Sequence, residues 1–246
     1  NLYVLFIDCT DNIGNTLYNI TYLLKLSRNI DIYKLKSAVE QTVQAHPYLK
    51  VQLFMDDEGE IRQRRDDSLP AEVTIKDDMD MDQLVRPYGL FNEPLYRFEI
   101  YRTVEGSYLF MDLHHLIADG SSLGILIEQI NQAYGGKSLS EEAYSSYDAA
   151  LDHEAAIKSA AYKEAEEFYR SEFQGCGGDT CFYPDKQEEK PKAGNVRFVD
   201  EGLKAEDVRR LCEKYGITEN VFFIGAFGIL LAKYNFRDEY VFTTIY

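Results

Sequence analysis

The stretch FMDLHHLIADGSSLGIL, residues 110–126, sets two adjacent histidines, an aspartate and a glycine into an otherwise apolar run. Just upstream, YLFMDL (108–113) has the composition of a strand. Downstream, Leu123, Leu126, Ile127 and Ile130 recur at helical spacing until Gly135 and Gly136 close the run. The order is therefore strand, histidine loop, helix. A histidine at a strand end, with its neighbours fixed by a tight turn, can accept a proton from a nucleophile near neutral pH. The glycine after Asp119 allows close approach, and the following helix aims its first N–H groups at developing negative charge. This is an arrangement suited to acyl transfer. The competing reading of any histidine is a buried ring satisfied by hydrogen bonds. His46 is read that way, because it continues the apolar face of its helix, and His153 lies among surface charges.

Outward from the loop the chain reads as mixed α and β. LYRFEIY (95–101), VEGS (104–107) and YLFMDL form a hairpin that delivers the chain to His114, and YLKVQLFM (48–55), DDEG (56–59) and EIRQRR (60–65) form another. TLYNITYLLKL (16–26) reads as a strand. Asp31 is placed to cap a helix whose apolar positions Ile32, Leu35, Val39 and Val43 keep helical spacing until Pro47. Residues 138–173 are dense in Ala, Glu, Lys and Tyr and read as helical with a solvated face. Residues 175–195 read as a linker. NVRFVDEGL (195–203) and DEYVFTTIY (238–246) look like strands, and 204–215 and 219–234 like helices, the start of a second unit that is not finished.

Composition bounds what such a chain does. The 246 residues, 45% hydrophobic and 13% aromatic, support a real core in one large or two modest domains. A net charge of −16, from 26 basic and 42 acidic residues, argues against sequence-independent binding of nucleic acid or anionic lipid. No apolar run has the length of a bilayer span and no secretory signal opens the chain, so a cytoplasmic protein off the membrane is expected, with its true start upstream of Asn1. Cys9, Cys176, Cys181 and Cys212 have neither redox nor zinc spacing and are read as reduced thiols. IRQRR (61–65) is the dense basic cluster; a solvated hairpin and a docking patch are its two readings.

HHLIADG (114–120) matches the HHxxxDG signature of the chloramphenicol acetyltransferase-like superfamily, and its surroundings resemble condensation domains of nonribosomal peptide synthetases. VEQTVQAHPYLKVQLF (39–54) is similar to the RHExLRTxF region of those domains, LVRPYGLFNEPLYRFEI (84–100) to their RPFdL..gPLyR segment, and AEEFYRSEF (165–173) to the helix before the inter-lobe linker. Residues 218–246 resemble the first helix and strand of the second lobe. The resemblance implies an α+β fold, a two-layer sandwich with a mixed, mostly antiparallel sheet and helices packed on it. It divides the chain into a first lobe over 1–174, a linker over 175–195 and the opening of an incomplete second lobe over 196–246.

The same resemblance implies attack of an amine or hydroxyl on an acyl thioester. His115 would contact the nucleophile, as general base or as the group that positions it. His114 would be structural, and the backbone N–H of Gly120 would face the thioester oxygen. Asp119 would turn from substrate and pair with the residue aligned to the family arginine, which here is Lys50, a point charge in place of a bidentate fork. The acyl group would ride on the phosphopantetheine arm of a peptidyl or acyl carrier protein, beside adjacent synthetase domains, with no metal and no tightly bound cofactor. The alternatives are a free-standing O- or N-acyltransferase using acyl-coenzyme A and a degenerate, non-catalytic carrier-binding module. Ser121 stands where the family often has tryptophan, YSSYDAALDHE (144–154) matches the YxDYAxW motif only in part, and both epimerisation and heterocyclisation patterns are absent. The isolated chain is expected to be inactive, and VFFIGAFGILLAKY (221–234) to favour self-association.

Overall fold

A computed structural model describes residues 14–175, 202–236, 241–242 and 244. The chain divides into two compact units, one ending at Lys158 and the other starting at Ser159. The first holds β1 (Asn19–Lys25), α1 (Ile32–Ala45), β2 (Val51–Met55), β3 (Ile61–Arg65), β4 (Val73–Lys76), β5 (Tyr96–Thr103), β6 (Gly106–His114), α2 (Gly120–Tyr134) and α3 (Ser146–Ile157). The second holds α4 (Ala160–Glu172), α5 (Ala205–Tyr215) and α6 (Glu219–Tyr234). Most of the strand expected over 195–203 and most of that over 238–246 lie outside the described residues, as do 176–195 of the expected linker.

Local chemistry accounts for the element ends. The Asp31 carboxylate accepts the backbone N–H groups of Tyr33 and Lys34, each at 3.0 Å, which starts α1. Pro47 opens a 3-10 turn, Pro47–Lys50, that feeds β2. Between β2 and β3, Asp56 accepts from Glu58 and Glu60 N–H at 3.0 and 2.8 Å, and Gly59 takes the left-handed φ of 82° that the turn requires. The two strands form a separate antiparallel pair.

The main sheet has the order β1-β6-β5-β4. β6 lies antiparallel to both β1 and β5, while β4 runs parallel to β5, pairing Val73 with Phe98. Strand alternation splits β6 between two faces. Leu109, Met111 and Leu113 join Val39 and Val43 of α1 and Leu123 and Leu126 of α2 in the main core. Each such buried aliphatic side chain contributes about 1.5–3 kcal/mol. Phe110 packs on the other face with Leu84 and Tyr101. That face also buries Glu99, held by Lys76 and Arg86 at 2.7 and 2.6 Å and by the Tyr101 hydroxyl. The histidine strand is thus an inner strand of the main sheet, covered on both faces, which fixes where its last residues point.

In the second unit α5 ends at Gly216 in the left-handed conformation and buries Val208 and the free thiol of Cys212. α6 buries Leu231 but exposes Phe223, Phe227, Ile229 and Leu230. No single described helix is long and apolar enough to cross a membrane.

Candidate active site

β6 ends at His114, and both of its neighbours hold that end by backbone bonds. The His114 N–H donates to the Leu95 carbonyl and the His115 N–H to the Tyr18 carbonyl, each at 2.9 Å. Leu116, Ile117 and Ala118 are buried, so the apolar residues of the loop anchor it to the core while His115, Asp119 and Gly120 stay exposed. The Ile117 N–H closes the turn on the His114 carbonyl at 3.0 Å.

The two histidines have different environments. His114 is buried; its Nδ1 accepts the Leu116 N–H at 3.2 Å, which puts the proton of the neutral ring on Nε2. The ring of Tyr88 meets it edge-on at 5.7 Å and Tyr18 lies at 6.3 Å. Burial, and secondarily His115, pushes its pKa down to about 4, so it is neutral at physiological pH. His115 is exposed at the strand end, where a reacting group can reach it.

Asp119 is the N-cap of α2. Its Oδ1 accepts the Ser122 N–H at 2.8 Å and the Ser122 hydroxyl at 2.7 Å, and the Ser122 hydroxyl in turn accepts the Asp119 N–H at 3.1 Å. This reciprocal capping box satisfies otherwise open helix donors. Hydrogen bonds from Ser122, then from Ser121, hold the Asp119 carboxyl below the usual carboxylate range. The expected Asp119–Lys50 contact is not formed. Lys50 is buried and its Nζ donates to Gln44 Oε1 at 2.7 Å. The correction has a local cause: Ser122 supplies three-residue capping geometry that the carboxylate reaches without a distant cation. α2 accordingly begins at Gly120, three residues before Leu123, the first residue of its apolar spacing. Gly120 is its first residue, so its N–H has no intrahelical acceptor, and a Cβ placed there would meet nothing within 4 Å.

Sequence reasoning missed a second group. Asp112 has no solvent exposure and accepts from Arg97 at 3.1 Å and from the Asn19 amide at 3.0 and 3.1 Å. Register pairs Arg97 with Asp112 directly across β5 and β6, and an aspartate inside an apolar strand opposite an arginine was the available signal. Beside the loop a cavity of about 120 Å³ is lined by Ile117, Ala118, Ser122, Leu49, His46 and Glu142 among others. His46 is satisfied there, with Nε2 2.8 Å from Gln129 Oε1 and Nδ1 3.6 Å from Glu142. The arginines of β3 are engaged within the chain: Arg62 with Asp56, Arg65 with Asp67 and Glu141, and Arg64 with Asn92.

Comparison with known proteins adds an independent line. The sequence model described as "Condensation domain" matches residues 11–246. Bacitracin synthase 3 of Bacillus licheniformis is 24% identical over 237 residues, 92% of this chain and 4% of that protein. Surfactin synthase subunit 2 of Bacillus subtilis (strain 168) is 29% identical over 239 residues, 93% of this chain and 6% of that protein. The chain thus spans a small fraction of the length of these relatives. Among solved structures, the X-domain from teicoplanin biosynthesis superposes with a TM-score of 0.74 at 19% identity, covering 95% of this chain and 56% of that one.

Proposed function

Because the chain belongs to the condensation-domain family, we propose that it is the histidine-bearing part of a condensation-type acyltransferase in nonribosomal peptide synthesis. The relatives' names as synthases of bacitracin and surfactin support that setting. In this reading an amine, or a hydroxyl, attacks an acyl thioester on the phosphopantetheine arm of a carrier protein. The new C–N or C–O bond forms as the C–S bond breaks; the nucleophile gives up a proton and the departing thiolate takes one. His115 accepts or positions that proton, and the Gly120 N–H stabilises the oxyanion at the start of α2. His114 stays neutral and buried as a support. No tightly bound cofactor is invoked, and the partners are carrier proteins and adjacent synthetase domains.

The observation that carries this reading is the pairing of an exposed His115 at a strand end with an open, Cβ-free helix N-terminus five residues on. Intact chemistry at both points also argues against a degenerate carrier-binding module. The test is to load donor and acceptor carriers, incubate them with the native-length protein, and detect the condensed product on the acceptor carrier by mass spectrometry. Product is expected with the carrier-bound donor. Product formed only from acyl-coenzyme A would move the protein to the free-standing acyltransferases, and no product from either donor would leave a binding module. The 246-residue chain alone, which spans 56% of the solved X-domain chain, is expected to give none.

A further inference from the structure

Tyr88, Arg97 and Asp112 lie outside the histidine loop yet close around its first residue. The Arg97 guanidinium binds the Asp112 carboxylate at 3.1 Å and also donates to the carbonyls of Arg86 and Pro87 at 2.6 and 2.7 Å, tying β6 to the segment that carries Tyr88. Its central carbon sits 3.7 Å from the Tyr88 ring centroid, a close cation–π contact. Tyr88 then does two things. Its hydroxyl donates to the Asp112 carbonyl at 2.9 Å, two residues before His114, and its ring stands edge-on to the His114 imidazole at 89°. Asn19, tied to the same Asp112 carboxylate, follows Tyr18, whose carbonyl receives the His115 N–H.

We infer that Tyr88, Arg97 and Asp112 are positioning residues for the reaction proposed above: they lock the end of β6 and the His114 ring, and through the next peptide they aim His115. The inference rests on that functional reading. Its physical ground is that Arg97 and Asn19 both bind the Asp112 carboxylate while the Tyr88 hydroxyl binds the Asp112 carbonyl, so three side chains fix one residue of the strand end. A buried ion pair is a poor source of stability compared with well-packed apolar side chains. It is a good source of geometry, because a guanidinium fork fixes several acceptors at once. Misplacing a reacting group by about 1 Å costs on the order of a hundredfold in rate.

The test compares Arg97→Lys and Tyr88→Phe with Phe110→Leu, a change at a fully buried residue of the same strand that lies outside this group. Acyl transfer is measured on the native-length protein, and histidine ring resonances on the selectively labelled full chain. Lysine keeps the charge but loses the fork, so Arg97→Lys should lower kcat about tenfold with KM changed less than about twofold, and shift the resonances of both His114 and His115. Tyr88→Phe, which loses one hydroxyl, should do the same more weakly and decides the matter if Arg97→Lys does not fold. Phe110→Leu should lower the melting temperature while leaving kcat and the His115 resonance in place. Arg97→Lys or Tyr88→Phe protein with kcat within twofold and an unmoved His115 resonance would overturn the inference. If His115→Ala leaves transfer intact, the functional reading fails instead, and the His115 resonance in Arg97→Lys still decides whether the group aims that ring.

Discussion

Asp112, at the strand end of the histidine loop, has no solvent exposure and shares Arg97 and Asn19; Asp119, at the helix end, stands in solvent and is held by Ser122. Burial pushes the Asp112 carboxyl up, and Arg97 and Asn19 offset only part of that cost. At Asp119 the hydrogen bonds of the capping box win and the carboxyl is held down. One residue type therefore fastens the loop by two different mechanisms. The strand end relies on a partner that must be present, and the helix end on a bond available to many side chains.

Removing the buried partner should have the largest effect. Arg97→Ala takes the ion partner from the buried Asp112 carboxylate, leaving it to the Asn19 amide, and should cost about 3–5 kcal/mol of stability in urea unfolding. A loss under 1 kcal/mol would show that water reaches Asp112. Next comes acid. His114 has its pKa lowered from 6.5 to about 4, so the unfolded chain takes up the proton first. Its contribution to stability is complete above pH 6.5 and is lost as pH falls towards 4, on the order of 3 kcal/mol. The His114 part of the slope should be missing in His114→Gln protein; an unchanged slope would place the titration elsewhere. Asp119 contributes in the same direction at lower pH, since a depressed carboxylate loses its contribution as pH falls through its folded value, while Asp112, with its carboxyl raised, opposes it. The smallest effect belongs to the cap. Ser122→Ala or Asp119→Ala should cost about 1 kcal/mol, and a double-mutant cycle between Asp119 and Lys50 should show coupling below about 0.5 kcal/mol. Larger coupling would restore the ion pair that the family pattern implies.

The parts legible from sequence were those that local pattern determines. Asp31 and Pro47 bracket α1, the VEGS and DDEG turns set the two hairpins, and α6 occupies 219–234 as its composition indicates. β4 was missed because VTIK is four residues long and pairs in parallel with a strand twenty residues away, which no local periodicity encodes. His115 and Gly120 were singled out by the motif, and both are exposed at the two ends of the loop. Lys50 was misplaced because sequence alignment assigns a partner to Asp119 without weighing the closer Ser122. Arg97 and Asp112 were missed although the β5–β6 hairpin was read, because residues fifteen apart come together only once its register is set.

We propose that the exposed histidine at the strand end carries acyl transfer while the bonds at that end hold it in place. It is tested most directly by His115→Ala in the native-length protein, with carrier-bound donor and acceptor turnover and the melting curve measured on the same preparation. Turnover should fall by about a hundredfold or more, the size of a lost general base, with the melting temperature essentially unchanged because the side chain is exposed. Retained turnover with normal melting would contradict it.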